Sequence, residues 1–161
     1  MPVEVPSQAD IAYQYEMWIG RTTIVETVET IVWTEILGIE NLPFPTQVPE
    51  DVDVTHMKSP RRTRETIPGL LPVADATLDK QYWPESEGDI LLDTLAYLTA
   101  AGTRETVLIE FSTGGADPAA RRTYRGYINT FTPSGNIGEK AMCSVAMKIL
   151  DRQATNARVI A

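Results

Sequence analysis

The stretch VLIEFSTGGADPAARRTYRGYINTFTPSGNIGEKAMCSVAMKI, residues 107–149, decides the fold. Apolar and polar residues alternate in three runs, near 107–111, 124–131 and 143–149, and Gly- and Pro-rich loops separate the runs. A period of two is typical of half-buried β-strands, so we predict three consecutive antiparallel strands. The clearest predicted core faces are Val107, Ile109 and Phe111 in the first run, and Cys143, Val145, Met147 and Ile149 in the last.

Upstream of these strands, the sequence predicts one α-helix over about 87–101. Ser86 is a suitable N-cap, Asp89 follows three residues later, and Gly102 provides a stop. Apolar residues at i, i+4 and i+7 would form the face that packs on the strands. That face consists of Leu91, Leu95 and Leu98.

Further strands are expected toward the N-terminus, because Val, Ile and Thr make up 44 of the 161 residues. Alternation predicts strands at 15–20 and at 74–83, the latter ended by Pro84. Residues 22–40 fit either a helical stripe or a strand, and their β-branched density favours a strand from Ile31 to Asn41.

Residues 42–72 contain six of the eleven prolines and therefore read mostly as a long loop. Val52–Met57 is a short extended piece that could pair within it. Pro68-Gly69 predicts a turn in which the glycine takes a positive φ. Apolar side chains in the loop are expected to bury against some surface; these are Ile67, Leu70 and Leu71.

We interpret 1–161 as a single domain with an extended N-terminal arm at 1–13 and a short C-terminal tail at 151–161. No boundary within the chain leaves two viable cores. The predicted fold class is mainly β, an antiparallel β-sandwich or barrel with one flanking α-helix.

The net charge argues against a conventional DNA-binding protein. The chain carries 22 acidic and 14 basic residues, a net charge of −8. Residues 1–57 hold ten acids and the single base Arg21, while 58–161 hold twelve acids and thirteen bases. Opposite charges concentrated in different parts of one chain suggest contacts between copies. No window is apolar enough for a membrane span.

No constellation of residues predicts catalysis or a cofactor. His56 is the only histidine, no nucleophile elbow or phosphate loop is present, and Gly114-Gly115 reads as a hairpin tip. Glu50, Asp51 and Asp53 lie near His56, but alternate strand positions face opposite ways, so a metal site is not expected. Cys143 reads as a buried small hydrophobe. We expect a protein that is not an enzyme and carries no metal or cofactor.

The only basic cluster consists of Lys58, Arg61, Arg62 and Arg64. It could contact DNA, or it could pair with the acidic N-terminal third of a neighbouring copy. Because the whole chain would repel a phosphate backbone, pairing between copies is favoured.

The sequence DVTHM at Asp53–Met57, followed by RETIPGL at Arg64–Leu70 and RGYINTF at Arg125–Phe131, resembles the major tail tube proteins of long, non-contractile phage tails, of which the phage lambda tube protein is the reference. The Ser144–Ile149 segment is similar to the final strand of that family. The resemblance covers nearly the whole chain and implies a structural virion protein.

In that family six protomers form a ring, the rings stack into a tube, and the tube conducts DNA into the host. The resemblance implies that the arm and the loop make contacts between rings. It also implies assembly in the host cytoplasm, with tape measure and tail terminator proteins as partners. The sequence departs from the lambda protein, which carries an additional C-terminal immunoglobulin-like domain, because it stops at Ala161; surface decoration is therefore not expected. The candidate inter-ring contact residues are Arg61, Arg62, Arg64, Glu65, Ile67, Pro68, Gly69 and Leu70. The alternative is a tube protein of a gene transfer agent or a type VI-like secretion tube.

Overall fold

The computed structural model describes Pro6, residues 14–114 and residues 117–159. The strands are β1 (Glu16–Val25), β2 (Val28–Ile36), β3 (Asp51–Asp53), β4 (Thr66–Pro68), β5 (Ala74–Gln81), β6 (Val107–Ser112), β7 (Arg121–Ser134) and β8 (Met142–Arg152). The helix α1 spans Glu87–Ala100, and short 3-10 turns lie at Pro60–Arg62 and Pro118–Ala120. None of the helices in the described ranges is long and apolar enough to cross a membrane.

Six strands form one antiparallel sheet in the order β2-β1-β6-β7-β8-β5. The chain that leaves β2 returns to the far edge, where Ile39 bridges Lys80 of β5. Gln81 N–H donates to the Gly38 carbonyl at 2.8 Å, and Glu40 N–H donates to the Asp79 carbonyl at 3.0 Å. This seam links the two edges of the sheet, which confirms the expected mainly antiparallel barrel-like architecture with one helix.

Alternation places the core where the sequence predicts it. The core faces of β6 and β8 are almost fully buried, and Met17 and Ile19 of β1 join them with no exposure. The aromatic ring of Phe111 packs edge-on against Tyr124 at 5.6 Å between centroids. The strand predictions at 107–111, 124–131 and 143–149 are therefore confirmed.

Helix α1 packs against β7 and β2, and its bounds agree with the prediction. Gly102 has a φ of 84°, the left-handed conformation of a helix stop. Two details differ from the prediction. Ser86 occupies the N-cap position without a capping hydrogen bond from its side chain. Leu92, which the prediction omits, is fully buried with Leu95, while Leu91 is only partly buried against the core. A broad helical stripe allows either neighbour, and packing against the sheet selects one.

A buried ion pair ties α1 to the seam. Lys80 Nζ donates to the Asp89 carboxylate and to the Gln81 carbonyl, and Asp89 also accepts from Trp83 N–H at 2.8 Å. Both charged side chains are essentially inaccessible to solvent. Strand alternation already placed position 80 on the core face, but a lysine there is not expected without a partner. The partner comes from the first turn of α1.

The N-terminal strands differ from the predicted boundaries. β1 and β2 form a long hairpin whose turn is Glu26-Thr27, with φ of 50° and 70°, and β2 ends at Ile36, not at Asn41. Neither turn residue is Gly or Asn, so the turn carries no sequence signature. Beyond Gly20 the hairpin has no third strand beside it in the described ranges, and apolar side chains are exposed along it: Ile24, Val25, Val28 and Val32.

The C-terminal tail also begins later than predicted, because Asp151 and Arg152 belong to β8. Arg158 returns from the tail to the sheet and donates to the buried Glu110 carboxylate at 2.8 Å. The predicted arm at 1–13 lies outside the described residues except for the exposed Pro6.

Burial raises the pKa of the Cys143 thiol to about 11. We expect the native protein to react with a thiol reagent at pH 8 far more slowly than the unfolded protein. Cys143→Ser should cost about 1–3 kcal/mol of stability by placing a hydroxyl in an apolar site. Native-state labelling and chemical denaturation measure the two effects, and rapid native labelling would contradict the burial.

Asp89→Ala should destabilise the protein by about 3–5 kcal/mol, because it leaves the Lys80 ammonium buried without its counter-ion. Asp93→Ala, which removes an exposed aspartate from the same helix, is the matched control and should change stability by less than about 0.5 kcal/mol. Chemical denaturation measures both variants. Equal stability of the two would show that the buried pair does not hold α1 to the sheet.

Candidate functional site

The segment predicted as one loop, 42–72, has two parts. Residues 42–49 run along the barrel, where Tyr124 donates its hydroxyl to the Pro45 carbonyl at 3.3 Å and Phe44 packs against the core. Residues 50–70 form a separate two-stranded hairpin of β3 and β4, which we call the arginine hairpin. Every hydrogen bond that the described structure gives the arginine hairpin stays within it, so it projects as an independent unit.

Pro68-Gly69 is not a turn, which corrects the prediction. Pro68 pairs with Asp51 in β4, and Gly69 N–H donates to the Glu50 carbonyl at 2.6 Å. The glycine is required by close approach: a Cβ there would lie 2.8 Å from the Val52 side chain. Pro-Gly is common in turns, but Pro also fits a short edge strand whose N–H side faces solvent.

Side chains inside the arginine hairpin fix the shape of its tip. Ser59 donates its hydroxyl to the Glu65 carboxylate at 2.6 Å and accepts from His56 N–H at 2.9 Å. Thr55 accepts from Glu65 N–H at 2.9 Å. Glu65, predicted as a contact residue, therefore organises the tip. His56 Nε2 lies 3.6 Å from the same carboxylate.

The cations of the arginine hairpin take no part in these internal contacts. Arg61 and Arg62 sit at the tip with φ of 56° and 58°, in the 3-10 turn that reverses the chain. Arg61, Arg62 and Arg64 are all exposed, and none forms an ion pair with a described residue. The structure thus presents three arginines on one compact projection.

Apolar side chains accompany the arginines. The predicted contact residues Ile67 and Leu70 are 50% and 83% exposed, and Leu71 is exposed as well. The expectation that they bury is not met within one chain. Exposed apolar residues clustered on a projecting element are typical of a surface that another molecule covers.

Sequence reasoning missed a second surface. A groove of about 760 Å³ gathers all three tryptophans of the chain, and we call it the tryptophan groove. Trp18 comes from β1, Trp33 from β2, and Trp83 from the turn before α1. Carboxylates line the same space. The lining is Trp18, Trp33, Thr34, Glu35, Leu37, Trp83, Pro84, Glu85, Ser86, Glu87 and Gly88.

The surroundings of the groove explain its shape and show one cation stacked on one of its indoles. Gly20 faces Trp33 across the β1–β2 pair, and a Cβ at Gly20 would lie 2.9 Å from the indole ring, so only glycine lets the ring lie across the strand. Burial and the neighbouring Glu16 raise the pKa of Glu35. Arg158 stacks on Trp18 at 4.2 Å from the ring centroid, which shows that an indole of the groove accepts a guanidinium.

The two surfaces lie at opposite ends of β5. The arginine hairpin enters β5 at Ala74, where Gln47 Nε2 donates to the Pro72 and Leu150 carbonyls at 2.9 and 2.8 Å. The tryptophan groove lies beyond Gln81, at the other end. Eight residues of extended strand separate them by about 25 Å.

No group of three or more metal-ligating side chains converges anywhere in the described ranges. Glu50, Asp51 and Asp53 line the base of the arginine hairpin, and His56 lies toward its tip. Gly114, in the β6–β7 connection, has a φ of 92°, and a Cβ there would lie 2.5 Å from the Gln14 carbonyl oxygen, so both its backbone conformation and its close approach favour glycine.

Comparisons with known proteins give structural matches alone: no protein-family model and no curated protein matches the chain. A chain from the tail of an empty gene transfer agent (GTA) particle, refined with C6 symmetry, superposes with a TM-score of 0.60 at 14% identity, covering 92% of this chain and 100% of that one. A chain from the native GTA virion superposes with a TM-score of 0.60 at 15% sequence identity, covering 91% of this chain and 100% of that one. A chain from the six-fold symmetrised baseplate of the anti-feeding prophage superposes with a TM-score of 0.59 at 6% sequence identity, covering 92% of this chain and 96% of that one.

At these identities the likeness shows the fold. The protein has the fold of subunits found in the tails of phage-like particles. In particular, it shares that fold with chains of a GTA tail and of the anti-feeding prophage baseplate.

Proposed function

We propose that the protein is a tail tube subunit, a structural virion protein that assembles into stacked hexameric rings around a conduit for DNA. The observation that carries this function is the arginine hairpin, which projects from a barrel of tail-particle fold and exposes cations and apolar side chains that one chain leaves uncovered. The matched GTA tail was refined with C6 symmetry, which supports a six-fold ring.

The open edge of β2 supports the lateral contact within a ring. β2 pairs with β1 on one side, and the described structure gives it no strand on the other. An unpaired edge beside exposed Val28 and Val32 invites aggregation unless it is covered. Pairing with an identical neighbour in a closed ring removes the edge.

The charge of the chain fits a conduit. A net charge of −8 on each subunit repels DNA, so DNA can pass without being held. Under this function the partners are further copies of the chain, with tape measure and tail terminator proteins also bound. The particle is the tail of a virion of the long, non-contractile type, assembled in the host cytoplasm.

A tube protein of a gene transfer agent is the second candidate, and the two GTA matches favour it. Both candidates have the same architecture and require no enzymatic activity. Sequencing the nucleic acid in purified particles would separate them. Copies of one genome that encodes the tail indicate a virion, whereas a mixture of unrelated host genes indicates gene transfer.

Negative-stain microscopy and sedimentation of the purified protein at high concentration test the proposal. Rings or long tubes with a central channel are expected. A protein that stays monomeric at every concentration and salt condition would contradict the tube function.

Arg62→Glu with Arg64→Glu should abolish polymerisation and leave the melting temperature of the protomer nearly unchanged, because both side chains are exposed and contact no described acid. Each exposed ion pair contributes only about 0.2–1 kcal/mol. Six-fold repetition multiplies that contribution at every ring junction. Higher salt should weaken wild-type elongation for the same reason. Electron microscopy and thermal denaturation measure the two effects.

The control for net charge is Arg104→Glu with Arg152→Glu, which reverses two exposed arginines outside the arginine hairpin. This variant should still polymerise. If the hairpin arginines instead hold DNA, the first variant would form normal tubes and lose only DNA retention. Abundant normal tubes from that variant would overturn the ring-contact role.

A further inference from the structure

We propose that the tryptophan groove is the receptor for the arginine hairpin tip of a second copy of this chain. The proposal rests on the tube function and names the surface that receives the hairpin. The guanidinium groups of Arg61 and Arg62 would enter between the indole rings and the carboxylates of the groove.

The chemistry of the two surfaces is complementary. The groove offers three indole side chains beside Glu35, Glu85 and Glu87. Its described lining contains no basic residue, and the described cation that stacks on its indoles is Arg158, over Trp18. A planar guanidinium stacks on an aromatic face and donates to carboxylates at its edge, which a lysine ammonium does less well. The hairpin tip presents arginines without acidic partners in the described ranges.

The chain already contains one instance of this contact. Arg158 lies over Trp18 at 4.2 Å and donates two hydrogen bonds to Glu110 at 2.8 and 3.0 Å. Trp18 belongs to the groove itself, and the other two indoles, Trp33 and Trp83, lie beside the groove carboxylates with no described cation stacked on them. The groove volume of about 760 Å³ also lies within the ~300–1,000 Å³ typical of sites that enclose a bound group.

The position of the two surfaces requires a second copy as the source of the arginines. The arginine hairpin emerges at the Ala74 end of β5, and the groove lies past the Gln81 end. Contact between different surfaces of identical chains is head-to-tail, and such contacts build open stacks unless the rotation closes them. The same two surfaces can thus repeat at every junction along a tube.

Disulfide trapping tests the contact directly. Chains carrying Arg62→Cys are mixed with chains carrying Glu85→Cys, assembled and oxidised. A disulfide needs Cα atoms within about 7 Å, so it reports real proximity of tip and groove. Cys143 is buried with a pKa of about 11, so it stays silent in the background. We expect a disulfide-linked dimer in assembled material and none below the assembly concentration.

The control pairs Arg62→Cys with Thr77→Cys, a change at an exposed position in the middle of β5, and should give no dimer. Assembled tubes without an Arg62–Glu85 cross-link would overturn the groove assignment and leave the tube function standing. Failure of the wild-type protein to form any tube would overturn both.

Charge exchange gives a second, independent measurement. Glu85→Arg should raise the concentration needed for polymerisation at least about tenfold, because it sets like charges against each other. Adding Arg61→Glu and Arg62→Glu to the same chain should restore most of that loss. Asp93→Arg, a change at an exposed acid on α1 outside the groove lining, should have little effect. A combined variant that polymerises no better than Glu85→Arg alone would overturn the groove assignment as well.

Discussion

The buried Lys80–Asp89 pair is the interaction on which the arrangement of the molecule depends. It lies where three parts of the chain meet: the end of β5, residues 38–40 that close the sheet, and the first turn of α1. A conformation that separates Lys80 from Asp89 would leave a buried charge without its counter-ion, which costs free energy. The pair therefore holds these three parts of the chain together. The same joint fixes Trp83, whose N–H donates to Asp89, and thereby one wall of the tryptophan groove.

The rest of the structure consists of a barrel with a buried core and of peripheral elements that leave apolar and polar groups exposed. Inside the barrel, alternating strands bury a continuous apolar core. The buried Glu110 carboxylate forms ion pairs with Arg121 and Arg158, although Glu110 Oε2 and Arg121 Nε make no hydrogen bond to a described residue. Apolar side chains are exposed on the arginine hairpin and on the β1–β2 hairpin, and backbone donors are exposed along the edge of β2. The arginines of the arginine hairpin form no ion pair with a described residue. A folded chain that keeps an open strand edge and exposed apolar patches is suited to association with further copies, which would cover them.

Much of the fold was predictable and most of the site was not. The strands at 107–149 and the helix follow from local periodicity, which is a property of consecutive residues. The β1–β2 turn at Glu26-Thr27 has no local signature and was not predicted. The pairing of Pro68 is decided by its partner strand, so local rules misplaced Pro68-Gly69 as a turn. The arginine cluster could be recognised in the sequence as a contact candidate, and its contact role stays a prediction. The tryptophan groove could not, because its three indoles come from positions 18, 33 and 83.

The fold tolerates wide variation in sequence. The matched structures share 6–15% of their residues with this chain and keep the barrel. Alternation specifies a face for each residue and leaves its identity free among similar sizes. Under the proposed contact, the hairpin and the groove belong to one polypeptide, so a change in either must be matched within the same chain. Assembly through that contact would also constrain the placement of the arginine hairpin and the tryptophan groove at opposite ends of β5, about 25 Å apart.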